Sequence, residues 1–322
     1  LTSKRKWIKK VLYGFAVLVF IINVMAIFHA YQFTHFTRIP NGKMQDPKYL
    51  SLTQKVKMLF LGAKIPRPEN TLVPAKTFKT ITLQSNKKIS CWLVHTPKAK
   101  GTVILFHGYG GNKSRMLDKA SVFQSLGYHT LLVDFMGAGA SEGEQTSIGY
   151  YEAQQVKTCY DFIAAEGERN IVLFGTSMGA VSIMKAIHDY QLSPQKIILE
   201  CPFGTMYQTV CARFNNMKTP TFPMAACLVF WGGVLNGFWA FDHNPVEYAK
   251  NIHCPTLLLY GAKDDKVSAA EIDEIYNRLK GSKQLRIYTN AAHENYLIRY
   301  KKEWTKDVGL FLATSQNLGA SK

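Results

Sequence analysis

Ile171-Val172-Leu173-Phe174-Gly175-Thr176-Ser177-Met178-Gly179 reads as an apolar strand that breaks at a G-x-S-x-G turn and enters a helix. A serine displayed on so sharp a strand-to-helix turn needs small residues two positions either side, because the backbone passes close to its neighbours there. The turn exposes the Ser177 hydroxyl at a sheet edge and aims the next helix N-terminus at any negative charge that develops on a substrate. Alone the pattern is weak, and Ser177 could be an ordinary turn serine. Between a clear strand and a clear helix it becomes specific.

Three more stretches end apolar runs at chemically useful residues. Val103–Phe106 leads into His107-Gly108-Tyr109-Gly110-Gly111-Asn112, a Gly-rich turn able to bring a backbone N–H beside Ser177. With the N–H of Met178 it would form an oxyanion hole, each donor of which is typically worth about 10²–10³ in rate. Thr256–Tyr260 ends in Gly261-Ala262-Lys263-Asp264-Asp265-Lys266-Val267, and Leu285–Tyr288 runs to Asn290-Ala291-Ala292-His293-Glu294-Asn295. A carboxylate and an imidazole thus follow separate strands. Each also has a bland reading: Asp264 as the cap of a helix starting near Ser268, His293 as a hydrogen-bonded structural histidine. His107 reads as structural, and His243 and His253 as loop residues with no second ligand at metal-binding spacing. The joint occurrence at strand ends outweighs the separate bland readings.

The remaining pattern fits the same frame. Strands are expected at Phe78–Leu83, Ile89–His95, Val103–Phe106, Thr130–Phe135, Ile171–Phe174, Lys196–Leu199, Thr256–Tyr260 and Leu285–Tyr288, with Ser85-Asn86 turning a hairpin between the first two. The later runs are almost continuously apolar, as in strands covered on both faces. Helices lie between them. Gly179–Gln191 puts Val181, Met184, Ile187 and His188 on one stripe, and Ser268–Lys280 carries Ile272, Ile275 and Leu279. Alternation of this kind implies a mostly parallel sheet with its binding groups at the strands' carboxyl ends.

These residues make the chain resemble the α/β-hydrolase superfamily over roughly residues 78–315, in its membrane-associated esterase, lysophospholipase and serine-aminopeptidase-like branch. The resemblance implies an α/β fold: a mostly parallel eight-stranded sheet with helices on both faces, a cap insertion and here an N-terminal transmembrane helix. It also implies roles: Ser177 as nucleophile, His293 as general base and then acid, Asp264 as the residue orienting His293, and Tyr109 and Met178 as oxyanion N–H donors. Asp265 stays open as the acid, although G-x-x-D-x-x-V fits Gly261, Asp264 and Val267. The stretch from Asp134 to Gly143 is similar to the branch's D-x-R-G-x-G-x-S loop, but Met136 stands at the arginine's place, so no salt bridge is expected there.

Charge and hydropathy describe the rest. Hydrophobic residues make up 47% and charged ones 19% of 322 residues, which excludes a disordered or multi-span chain. The net charge is +17, of which residues 1–76 carry +11, so the excess is N-terminal and suits a membrane surface better than nucleic acid. Val11–Phe28 is an uncharged run with Asn23 its one strongly polar member, flanked by Lys4, Arg5, Lys6, Lys9 and Lys10, with Trp7 and Tyr13 at headgroup level. Arg38, Lys43 and Lys48 follow less densely, so the N-terminus is expected in the cytoplasm and the catalytic part on the other side. A cleaved signal peptide is the competing reading. The chain opens on Leu1, so its native start is expected upstream.

The expected domains are a basic flank (1–10), an anchor (11–30), a connector (31–76, with Pro40, Pro47, Pro66, Pro68 and Pro74) and a catalytic domain (77–322). Tyr49–Ala63 is expected to form an amphipathic helix, either on headgroups or packed on the main domain. Phe222–Phe241, twenty residues without a charge, reads as part of a cap (about 202–242) rather than a second span, since a true span would put the strands before and after it on opposite sides of a bilayer. Its aromatic residues Phe222, Phe230, Trp231, Phe238 and Trp239 suggest an apolar, lipid-like ester substrate. Thioesters, peptides and a non-catalytic binding module are the alternatives; a peptidase selecting an amino terminus would need an acid such as Glu142, Glu144 or Glu200. Cys91, Cys159, Cys201, Cys211, Cys227 and Cys254 have no metal-ligand spacing and read as small buried hydrophobes. No metal or nucleotide cofactor is called for.

Overall fold

The computed structural model describes residues 2–39 and 51–314. Leu1, Pro40, Lys43, Pro47, Lys48 and Tyr49, invoked above, lie outside the described residues. Eight strands form one sheet: β1 Phe78–Gln84, β2 Lys88–Val94, β3 Thr102–Phe106, β4 His129–Val133, β5 Ile171–Thr176, β6 Lys196–Glu200, β7 Thr256–Gly261 and β8 Lys283–Tyr288. Their order is β8-β7-β6-β5-β3-β4-β2-β1, and only β2 runs against the rest. β1 and β2 make the expected hairpin, with Ile81 opposite Cys91. Every residue of β3, β6 and β7 is buried, which explains the apolar runs at their centres.

The longer helices are α1 Thr2–Thr34, α2 Leu52–Leu61, α3 Leu117–Ser125, α4 Glu152–Ala165, α5 Met178–Tyr190, α6 Met206–Asn216, α7 Met224–Asn236, α8 Ala269–Arg278 and α9 Lys301–Ala313. Helix α8 starts with a full capping box, Ser268 with Glu271, and buries Ile272 and Ile275 as the periodicity requires. Helix α5 departs from expectation. Its residues Met178 to Ile187 are buried all round, and His188, expected on the apolar stripe, is exposed and bonds through Nδ1 to Asn251 Oδ1 at 2.8 Å. A helix enclosed on every side has no single stripe to read. On one sheet face, Phe123, Phe174 and Trp304 meet edge to face at 5.4–6.1 Å.

The chain divides into two compact units, and the divisions differ from the expected 30/31 and 76/77 boundaries. One unit holds the sheet, from Arg67 to Thr205 and from Asn244 onward. The other joins the N-terminal residues to Pro66 with Met206–His243, so the insertion groups with the expected anchor and connector. The expected boundaries at 10/11 and 30/31 both fall inside continuous helix α1, of which Lys4–Thr34 is long and apolar enough to cross a membrane. Helix α2, capped by a Ser51–Gln54 box, buries none of its residues. The uncharged run around α7 yields only thirteen helical residues before Gly237 turns the chain with a left-handed cap.

Residues 67–76 belong to the sheet unit for an identifiable reason. The Arg67 guanidinium donates to the carbonyls of Gly139 (2.6 Å) and Ser141 (2.6 Å), inside the loop where Met136 stands. Asp134 pairs with Lys113 Nζ at 3.0 Å and also accepts from Asn70 Nδ2 at 2.7 Å. Met136 carries no charge, and the loop is held instead from other parts of the chain, by the Lys113–Asp134 ion pair and by the Arg67 hydrogen bonds. Both are buried, so their loss would leave several polar groups unsatisfied.

Candidate active site

Ser177 stands between β5 and α5 with φ 50° and ψ −113°, a conformation that residues other than glycine avoid. It persists because both sides are fixed. The Ser177 N–H donates to the Glu200 carbonyl at 2.7 Å, and its own carbonyl accepts from Val181 N–H at 3.0 Å. The flanking glycines are demanded by space: a β-carbon at Gly175 would lie 2.5 Å from Ala180 N, and one at Gly179 would lie 2.3 Å from the Phe106 carbonyl oxygen. No side chain fits at either position without moving backbone.

The turn after β3 meets this elbow. A β-carbon at Gly108 would sit 3.2 Å from the Thr176 carbonyl oxygen and 3.5 Å from Ser177 Cβ. Tyr109 follows in that turn, and Met178 opens α5, where a first-turn N–H has no partner within the helix. The two residues expected to offer N–H groups thus lie on the backbone segments that meet at Ser177. His107 is structural: Nδ1 donates to the Gly108 carbonyl at 2.8 Å and Nε2 accepts from Phe135 N–H at 3.1 Å, which fixes a neutral ring. Burial lowers its pKa, against the opposing pull of the Gly108 bond and the Asp134 charge.

His293 Nε2 is 3.2 Å from Ser177 Oγ, and His293 Nδ1 is 2.8 Å from Asp264 Oδ2. Asp264, with its side chain 0% exposed, is held by Lys266 N–H (2.8 Å) and Val267 N–H (3.0 Å), both on Oδ1. That leaves Oδ2 for the imidazole. Asp265 is exposed and is not the residue against His293. The loop after β8 is fixed beyond His293 by Asn295 Nδ2, which donates to Asp118 Oδ2 at 2.6 Å. The structure therefore brings together Ser177, His293 and Asp264 from three strand ends, in a row of two hydrogen bonds.

One neighbour was missed in the sequence. Cys201, just beyond β6, is buried with φ 39°, and its sulfur lies within 4.8 Å of the ligand atoms of both Asp264 and His293. Among the described residues this is the one group of three potential metal ligands. The 2.8 Å contact between imidazole and carboxylate has the length of a direct hydrogen bond. A lone cysteine after an apolar strand gives no warning of such a place; only its position at the end of a strand bordering β5 and β7 could have.

Glu200, one of the acids considered for binding a substrate amine, is fully buried. It accepts from Thr176 Oγ1 at 2.9 Å and Trp304 Nε1 at 2.6 Å, and pairs with Lys119 Nζ at 2.9 Å. All six cysteines are free thiols, three of them buried.

Strand order, the strained serine elbow and the imidazole–carboxylate pair at the strands' carboxyl ends define the α/β-hydrolase fold. A family model described as serine aminopeptidase, S33, matches residues 97–229. The uncharacterized protein YqkD of Bacillus subtilis (strain 168) is 25% identical over 215 residues, 66% of this chain and 70% of its own. The lysophosphatidylserine lipase ABHD12 of Gallus gallus is 26% identical over 235 residues, 67% of this chain but 56% of its own length. The Pyrococcus furiosus esterase Pf2001 superposes with a TM-score of 0.64 at 23% identity, covering 77% of this chain and 96% of that one. The likeness to that esterase is one of fold, and the chain has the α/β-hydrolase fold.

Proposed function

We propose that the protein is a membrane-tethered serine hydrolase that cleaves carboxylic esters of apolar, lipid-like acyl groups. The observation that carries this reading is the row Ser177 Oγ, His293 Nε2, His293 Nδ1 and Asp264 Oδ2, with spacings of 3.2 and 2.8 Å. Ser177 Oγ attacks the ester carbonyl while His293 Nε2 takes its proton, and Asp264 holds the ring and stabilises the imidazolium. The Tyr109 and Met178 N–H groups receive the oxyanion. Collapse of the tetrahedral intermediate expels the alcohol, protonated by His293. A water activated by the same ring then releases the acid from Ser177. The protein's similarity to an esterase and to a lysophosphatidylserine lipase supports an ester or lipid-like substrate. Helix α1 serves as the tether, with its basic flank in the cytoplasm and the hydrolase on the other side.

A p-nitrophenyl ester series from acetate to decanoate, with and without anionic vesicles, tests this. Rates should rise with chain length and rise further with vesicles. No turnover of any member, or turnover of acetate alone, would contradict the substrate class.

The sign of the pH dependence follows from the site. Burial of the His293 ring favours its neutral form, but the Cys201 sulfur and the Asp264 carboxylate favour the charged form and prevail, raising the pKa from 6.5 to about 10. A base must be neutral to accept a proton, so activity is low in acid and grows as pH rises through this value. The half-point of kcat/KM should lie above 6.5. A half-point at or below it would show burial to be the stronger influence.

A further inference from the structure

Asn23, the one strongly polar residue in the apolar run of α1, is engaged at both ends of its amide. Nδ2 donates to the Val19 carbonyl at 2.9 Å, and Oδ1 accepts from Trp231 Nε1 at 2.9 Å. Trp231 belongs to α7, so this bond ties the two helices together partway along α1. The burial of α1 changes at the same place. Lys4 to Ile21 are all exposed; beyond them Ala26, Ala30 and Thr34, one stripe at four-residue spacing, are buried.

Lengths then decide where α7 lies. A hydrocarbon core about 30 Å thick needs about 20 helical residues. The uncovered apolar stretch from Val11 to Ile21 supplies only about 16 Å. If α1 spans a bilayer, which rests on the reading above, roughly the last 14 Å must come from the part that α7 covers. We infer that α7 (Met224–Asn236) is a membrane-immersed half-helix, lying beside α1 in the leaflet away from the basic flank, with lipid hydrocarbon against its outer face.

The chemistry of α7 agrees. No charged residue lies between Lys218 and Asp242. The exposed side chains Phe222, Phe230, Val234, Leu235 and Trp239 are all apolar, a liability in water and ordinary in lipid. Small residues are buried on both helices, Ala26 and Ala30 on α1 and Ala225 on α7, as suits close packing in a bilayer. Asn236 Nδ2 donates to the Gly232 carbonyl at 2.8 Å, so it too is satisfied within the helix. Helix α2 marks the far headgroup level. Its exposed Leu52, Val56, Leu59 and Phe60 share one face, with Lys55 and Lys57 also exposed, and the Leu59 carbonyl bonds to His29 Nε2 at 2.8 Å. His29 lies about 9 Å further along α1 than Asn23, which puts Trp231 that far below the headgroups.

Nitroxide labels at single introduced cysteines test this in phosphatidylcholine–phosphatidylglycerol vesicles. The full chain would carry alanine at Cys211, Cys227 and Cys254, with labels at exposed Leu18, Val234 or Lys280 in turn. Collisions with oxygen should dominate at Leu18 and Val234, and collisions with a water-soluble nickel complex at Lys280. Nickel-accessible Val234 would overturn the immersion of α7, whatever Leu18 reports. Nickel-accessible Leu18 would instead remove the anchor.

Discussion

Ser177→Ala should lower kcat by about 10⁶ while leaving the fold intact. The size follows from the role: without Oγ no acyl-enzyme forms, and the residual rate over water, about 10³–10⁴, comes from the N–H donors and substrate binding alone. The fold should survive because the strain at this position is backbone strain. The left-handed φ of 50° is set by the Glu200 carbonyl, by Gly175 and Gly179, and by the start of α5, none of which needs the hydroxyl. An unchanged melting temperature beside the collapsed rate separates the two effects. Turnover within tenfold of wild type would mean that another group carries the chemistry.

Asp264→Asn should cost about 10⁴ in kcat, and Asp265→Asn close to nothing. The asymmetry comes from hydrogen-bond direction. In the wild type, the Lys266 and Val267 N–H groups hold Oδ1, and Oδ2 accepts the proton on His293 Nδ1. In the asparagine variant those N–H groups keep the amide oxygen, which turns the amide NH₂ toward the ring. His293 Nδ1 must then accept, its proton moves to Nε2, and the nitrogen facing Ser177 can no longer take a proton. Asp265 is exposed and has no such place. Equal losses in the two variants would show that the acids share the role; a larger loss at Asp265 would reverse the assignment.

How far the sequence carried the reading depended on whether a feature was local. All eight strands were legible as short runs between turns, and the serine elbow was legible because its pattern lies within five consecutive residues, although the space that Gly179 must leave free belongs to the distant Phe106 carbonyl. Asp264 and His293 could be proposed because each sits just past a strand. Contacts between distant segments were not legible. Lys113 pairs with Asp134 and Arg67 holds carbonyls of the loop that carries Met136, yet neither lies near that position in the chain. Cys201 looked like any buried thiol until β6 set it beside Asp264 and His293. The Asn23–Trp231 bond joins residues 208 positions apart, so no periodicity could announce it. His188 failed for a different reason: α5 is enclosed on all sides, and an apolar stripe loses its meaning there.

The most direct measurement is to treat the folded protein with a fluorophosphonate and locate the adduct by peptide mass spectrometry. A single phosphonyl group on Ser177, absent from protein denatured before treatment and lost in Ser177→Ala, is the outcome this account requires. A folded, intact protein that takes up no label, or takes it elsewhere, would contradict it.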